Sequence, residues 1–397
     1  MSVPVPKLRF KNFSQALING PFEQYIKSSK YGPRFDANDY DLNGNVKTIR
    51  GTDVALDATI KYEQVPIANL PQKLIDEHQL QEGDILMITT ADCGLSAVFE
   101  KQEIPFIASA YAVRIVLKNS LDSLWVKYYL QTQHIVNEVN KYVRKGTLSN
   151  LPLSDISKFS FTVPALEEQT KIATFLSAVD EKISQLTQKH ELLSQYKQGM
   201  MQKLFSQQIR FKADDGSEFG EWEEKTLIDS VDTNIKWSFT GGPFGSNLKS
   251  EDYTELGIRI IQLQNIGDGA FLNDYKIYTS PEKANELLSC NIYPDEILIS
   301  KMGDPVARCC IVPKHHDRYV MCSDGIRLVV DKKNYSSIFM FYQINYQDFR
   351  QSASDVSTGS TRKRIGLSDL KQLPIKAPCL EEQTKIANFL SAIDQKI

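Results

Sequence analysis

From Ile172, a seam stepping by four and three residues runs through Leu176, Val179, Ile183, Leu186, His190, Leu193, Lys197, Met200 and Leu204, and eight of these ten positions are apolar. The period is close to 3.5 and no Pro interrupts it. The stretch from Leu166 to Leu204 therefore predicts a long helix laid against another helix rather than one buried in a globule. At 1.5 Å per residue its 39 residues span about 58 Å. Elsewhere the period changes. GDILMITT from Gly83, AVRIVL from Ala112, DEILISKM from Asp295 and GIRLVV from Gly325 are alternating or continuous apolar runs of strand length. The aromatic-rich stretches from Leu124 and from Ser337 predict helices after the strands, so each globular part is mixed α/β.

The helix sequence returns 214 residues later: Leu380 to Ile397 reads LEEQTKIANFLSAIDQKI against LEEQTKIATFLSAVDEKI for Leu166 to Ile183, with three of eighteen positions changed. The match continues upstream, with LSDISKFSFTVPA from Leu153 and LSDLKQLPIKAPC from Leu367. Leu8-Arg9-Phe10-Lys11 is echoed by Ile209-Arg210-Phe211-Lys212. Gly-Pro loops from Gly32 and Gly242, Asp-Tyr pairs (Asp39-Tyr40, Asp252-Tyr253) and turn glycines (Gly44, Gly257) precede a β-branched strand in each half. The chain reads as a tandem duplication with segments 1–165, 166–205, 206–379 and 380–397. The heads have diverged and the joints are nearly identical. By repeat arithmetic the counterpart of Phe205 falls at position 419, so about 22 residues of the second helix are expected to be missing.

Composition narrows the choice. Net charge is −3, and Lys+Arg against Asp+Glu stands at 18 to 17 in residues 1–165 and 21 to 24 in 206–379. A protein gripping DNA alone usually shows a basic balance, so any DNA contact must be local or shared with partners. No apolar run reaches membrane-span length, the N-terminus lacks a signal-peptide core, and six unpatterned cysteines suggest reduced thiols in the cytoplasm.

The LEEQTKIA helix start, the duplicated layout and the GPFGS-loop-DY-GI-strand run resemble the specificity subunit of type I restriction–modification systems, over essentially the whole chain. The resemblance implies two α/β (α+β) target recognition domains in tandem, each reading one half of a bipartite DNA site. Their long helices would form an antiparallel coiled coil with a pseudo-twofold internal repeat. It also implies docking of two methyltransferase subunits, further restriction/translocase subunits, and adenine methylation. S-adenosylmethionine, ATP and Mg²⁺ would belong to those partners, with none bound here. A 58 Å helix would separate two reading heads by at most about 17 base pairs, and divergent heads imply an asymmetric site. The shortened second helix departs from the family and puts the second methyltransferase surface in doubt.

Phosphates favour Arg, Lys and loop N–H groups, and base edges favour Arg, Lys, Asn and Gln. In the first half the DNA-contact candidates are Lys30, Arg34, Arg50, Thr52, Arg144, Lys145 and Thr147. In the second they are Asn247, Lys249, Gln262, Gln264 and Asn265, with Ser360, Thr361, Arg362, Lys363 and Arg364 from the run STGSTRKRIGLSDL. A solvated surface loop is the plain alternative for that cluster. Candidate partner contacts are Glu167, Glu168, Gln169 and Lys171 with their copies Glu381, Glu382, Gln383 and Lys385. The Cys309–Cys322 region lacks Cys-x-x-Cys and is not read as a zinc site. Gly241–Ser246 lacks the Gly-Lys-Ser/Thr ending of a phosphate loop and reads as a turn. Neither an adenine-methyltransferase Asn/Asp-Pro-Pro-aromatic motif nor a nuclease carboxylate motif is found, so the chain reads as non-catalytic. Two other classes remain: a truncated, inactive copy that only sequesters methyltransferase subunits, and an unrelated coiled-coil scaffold.

Overall fold

The computed structural model describes residues 8–359 and 362–397, and the chain divides into two compact units, Met1–Gln185 and Leu186–Ile397. The division falls inside one continuous helix, Leu166–Phe205. The cause is packing. Ala173 near the helix start belongs to a core of the first unit, and Leu204 and Phe205 at its end belong to the main core of the second.

In the first unit, strand Ile26–Tyr31 lies antiparallel to Ala112–Leu117, which pairs with Ile85–Ile88, and that strand pairs with Ser96–Val98. A smaller sheet joins Ile67–Ala68, Val46–Ile49 and Phe106–Ala108, the last two in parallel. Strand Ile18–Pro21 pairs with Ser160–Val163 just before the long helix. Ile85–Ile88 is apolar throughout because it has a core on each face. Ile85 and Met87 meet Trp125 and Phe161 on one side, and Leu86 and Ile88 meet Ile49 and Phe106 on the other.

The second unit has the same plan. Phe239–Gly241, Gly325–Leu328, Ile297–Ser300 and Cys309–Ile311 form a four-stranded sheet in that order. Strand Ile258–Ile261 runs parallel to Tyr319–Met321 within a five-stranded sheet, and Glu223–Thr226 pairs with Pro374–Ala377. Ile297 and Ile299 face the large helical core while Leu298 faces the other sheet. Each of these fully buried side chains contributes about 1.5–3 kcal/mol. Partly buried Arg–carboxylate pairs link neighbouring segments at the same place in both units: Arg114 to Asp84 at 2.6 Å, and Arg327 to Glu296 at 2.6 Å.

Each aromatic-rich stretch is two helices. Ser123–Leu130 and Gln133–Tyr142 are separated at Thr132, and Ser337–Asn345 and Gln347–Asp355 at Tyr346, where the backbone is extended. Trp125, Phe339 and Tyr342 are buried, so these aromatics are core rather than stacking platforms. The Tyr128 phenol, raised to about 12 by burial and by its bond to Asp180, is a positioned donor.

The long helix has Glu167 and Glu168 in its first turn, where the dipole favours acids. It stops at Phe205, and Gln207 turns the chain with φ of 59°. Residues 178–192 are exposed along its middle. The helix-on-helix cover expected along the whole seam is thus absent there among the described residues, and Val179, Ile183, Leu186 and His190 face solvent. Helix Leu380–Asp394 repeats the motif, and its Ile386, Leu390 and Ile393 are buried. Among the described residues no helix is long and apolar enough to cross a membrane.

Candidate nucleic-acid interface

The strand Val46–Ile49 ends in a tight turn, Gly51–Asp53, in which the Arg50 N–H donates to Asp53 Oδ2 at 2.8 Å. In the second unit Ile258–Ile261 ends in Leu263–Asn265, and the Gln262 N–H donates to Asn265 Oδ1 at 2.9 Å. The acceptor is fully buried in both turns. Asn265 is therefore a structural cap and not a base reader. Its amide nitrogen is spent on the carbonyls of Leu272 and Tyr275 at 2.8 and 2.9 Å. Thr52 and Gln264 are exposed at the turn tips. Arg50 bonds Asp53 through Nε and Nη2, which raises its pKa and orients it, while its side chain remains 47% exposed. Gln262 donates to the Tyr253 hydroxyl at 3.2 Å.

A second element is a five-residue loop closed by two backbone bonds. Arg144 and Asn150 exchange bonds of 2.9 and 3.0 Å, and Thr358 and Arg364 exchange bonds of 2.9 and 2.8 Å. Gly359 sits at φ of 98°, where a Cβ would meet the Arg362 carbonyl oxygen at 2.7 Å, so the loop needs glycine there. Lys145 and Thr147 are exposed, as are Arg362, Lys363 and Arg364. Arg144 reaches Asp155 at 3.3 Å but shares it with the closer Lys158. Arg364 is held by Asp324 at 2.6 Å, and Lys363 donates to Ser354. Among the described residues Lys145 and Arg362 have no carboxylate partner. Ser360 and Thr361 lie outside the described residues.

Backbone bonds bring turn and loop together through a third segment. In the first unit the Ala91 N–H donates to Ser149 and the Leu151 N–H to Thr89, at 3.0 and 2.8 Å. Thr52 lines an open cleft of about 590 Å³ with Asp92, Cys93 and Leu95 of that same segment. In the second unit the Ile365 N–H donates to Lys301 and the Gly303 N–H to Lys363, both at 3.0 Å. Arg308 then donates to the carbonyls of Ile266 and Leu263 at 2.6 and 3.4 Å, tying the same segment to the turn. Each unit thus carries one edge made of a turn with variable polar tips and a basic loop. The sequence offered no sign that Arg308 is its strut, since one loop arginine looks like another.

The other candidates are more scattered. Lys30 lies on strand Ile26–Tyr31, 3.7 Å from Glu77, and Arg34 is exposed after Gly32-Pro33. Asn247 and Lys249 are exposed in the loop that leads to Tyr253, whose hydroxyl meets Gln262. Gly242 in that loop approaches the Cys322 carbonyl so closely that a Cβ would lie 1.6 Å from its oxygen. Cys310 and Cys322 are buried, which raises their thiols to about 12 and 11 and leaves them as small apolar side chains.

Half of the partner-contact candidates face inward. Arg9 grips Glu168 with two bonds of 2.6 Å, and Arg210 grips Glu382 with bonds of 3.1 and 2.7 Å. Gln169 accepts from the Asp122 N–H and donates to the Ser120 and Pro164 carbonyls. Gln383 does the same with Ser336, Asn334 and Pro378. All four acceptor side chains are at most 2% exposed. They clamp each helix start to its own head, so an outward docking role does not fit Glu168, Gln169, Glu382 or Gln383. Glu167, Lys171 and Glu381 are exposed, while Lys385 is paired with Asp214 at 2.5 Å.

The model for the type I restriction modification DNA specificity domain matches residues 26–195 and 264–397. A type I restriction enzyme MjaVIII specificity subunit from Methanocaldococcus jannaschii is 25% identical over 336 residues, covering 80% of this chain and 74% of that protein. A putative MjaX specificity subunit from the same organism is 27% identical over 83% of this chain and 76% of its own length. The crystal structure of a type I restriction-modification system S subunit from M. genitalium superposes with a TM-score of 0.60 at 17% identity, covering 99% of this chain and 93% of that one. The family match takes in most of the first unit, the long helix as far as residue 195 and the greater part of the second unit, and the chain belongs to the specificity subunits of type I restriction–modification systems.

Proposed function

We propose that this chain supplies DNA sequence recognition to a type I restriction–modification complex, with each unit reading one half of an asymmetric bipartite site. The observation that carries this reading is the shared edge with unlike tips. Arg50 and Thr52 in one unit stand where Gln262 and Gln264 stand in the other, on turns capped in the same way. Arginine favours guanine and glutamine favours adenine in the major groove, so the two heads would read different words. The basic loops around Lys145 and Arg362 would hold phosphates and set the register. The long helix would space the heads, and exposed helix positions would dock methyltransferase subunits that methylate adenine N6. In this reading the chain is non-catalytic and works in the cytoplasm, and the nuclease subunits join through the same assembly.

The test is selection of random-sequence DNA by the chain bound to its methyltransferase subunit. Enrichment of two different words at a fixed gap is expected. Enrichment of a single continuous word would refute the two-headed reading.

A further inference from the structure

The Gly-Pro loop is tied into the same edge as the reading turn and the basic loop in both units. In the second unit the Cys322 N–H donates to the Ile261 carbonyl at 2.8 Å, one residue before Gln262. The Gly242 N–H donates to the Gly325 carbonyl at 2.8 Å, and the Lys301 N–H to the Asp324 carbonyl at 2.7 Å. The Asp324 carboxylate holds Arg364. Residues 322–325 therefore join the strand before the turn, the Gly-Pro loop and the basic loop. The first unit repeats the backbone bonds, from Ser109 to Ile49 at 2.9 Å, Gly32 to Ala112 at 3.0 Å and Thr89 to Tyr111 at 2.9 Å.

In each loop the proline is buried and the residue after it is exposed: Arg34 in the first unit, Phe244 in the second. Phe244 is 82% exposed. Its backbone is held, because its carbonyl accepts from the Asn247 N–H at 2.8 Å. Gly242, two residues earlier, packs too closely on the Cys322 carbonyl to carry a side chain. A single exposed apolar side chain is ordinary on a protein surface. What sets Phe244 apart is its place, outward on an anchored loop of the edge that also carries Gln264 and Arg362.

We propose that Phe244 is a wedge that enters the DNA base stack, at a step inside or beside the half-site read by the second head. The ring partly unstacks that step. The cost of opening it is lowest at flexible pyrimidine–purine steps, which adds a sequence preference that the hydrogen bonds of the turn do not supply. At the same loop position the first head has Arg34, whose charge suits a phosphate. The inference rests on the heads being DNA readers, and adds to that reading a contact made by stacking rather than by charge.

The test uses the whole chain assembled with its methyltransferase subunit and a duplex carrying the selected site. 2-Aminopurine replaces, in turn, each adenine in and around the two halves. A rise in fluorescence on binding is expected at one step, in or next to the half that Gln264→Ala relaxes. Phe244→Ala should abolish the rise and weaken binding about tenfold, with the slope of log K against log salt unchanged. Phe244→Trp should keep the rise, and thermal unfolding of both variants should match the parent because the side chain is at the surface. Arg34→Ala should instead lower the slope by about one and leave the fluorescence as it was. A selective parent complex that Phe244→Ala equals in affinity and fluorescence would overturn the wedge and leave the two-headed reading standing. A parent complex without selectivity would overturn both. Weaker assembly of Phe244→Ala with the methyltransferase, with DNA binding by the assembled complex unaltered, would also overturn the proposal, since the ring would then be a protein contact.

Discussion

Arg210→Ala isolates the clamp that holds the terminal helix to the second head. Glu382 is fully buried, and Arg210 meets both of its oxygens while also donating to the Gly220 carbonyl at 2.6 Å. Removing the guanidinium leaves a carboxylate buried without its counter-charge, a change that typically costs 3–5 kcal/mol. Arg210 itself is 19% exposed in its side chain, so water would reach the vacated site and the expected loss is about 2–4 kcal/mol. For a unit of this size that corresponds to a fall in Tm of roughly 5–15 °C. Calorimetry of the whole chain should show the shift in the transition of the second unit alone. The double variant Arg210→Met with Glu382→Leu should return to within about 1 kcal/mol of the parent, because a well-packed apolar pair carries no desolvation cost. An Arg210→Ala transition within about 0.5 kcal/mol of the parent would refute the reasoning, as would a double variant no better than the single one.

Three more outcomes follow from named contacts. Gln383→Ala removes bonds to Ser336, Asn334 and Pro378 inside the protein, and denaturant unfolding should show a loss of about 2–4 kcal/mol. Arg362→Ala combined with Lys363→Ala should weaken DNA binding by the assembled complex for every sequence tested, with the slope of log K against log salt falling by about one to two. A change confined to one sequence would contradict phosphate contact. Gln264→Ala should relax one half of the recognised motif by about 1–3 kcal/mol per affected base pair and leave the other half unaltered, as read by competition binding.

The strands were legible because their cause is local. Ile85–Ile88 and residues 297–299 are apolar at every position since each lies between two cores, and such a run has few other uses. The repeat was legible from near-identity alone. What identity could not say was where the shared residues point. Glu168 and Gln169 look like outward contacts when two copies share them, but the shared constraint is internal, set by Arg9 and by the Asp122 loop. Asn265 was misread for a related reason. An amide suited to a base edge is equally suited to two backbone carbonyls, and only the turn geometry decides. The breaks at Thr132 and Tyr346 left no proline or glycine to mark them. The bare middle of the long helix was invisible because a 3.5-residue period states that a face is apolar and not whether anything covers it.

The most direct measurement is the methylome of a methylation-free host that expresses this chain with its methyltransferase subunit. The account predicts N6-methyladenine on both strands of one split motif whose two halves are different words separated by a fixed gap. A palindromic split motif would contradict it, because one head would then be reading twice. A methyltransferase complex that forms stably and leaves no motif would contradict it as well, and would favour a chain that sequesters the methyltransferase without directing it.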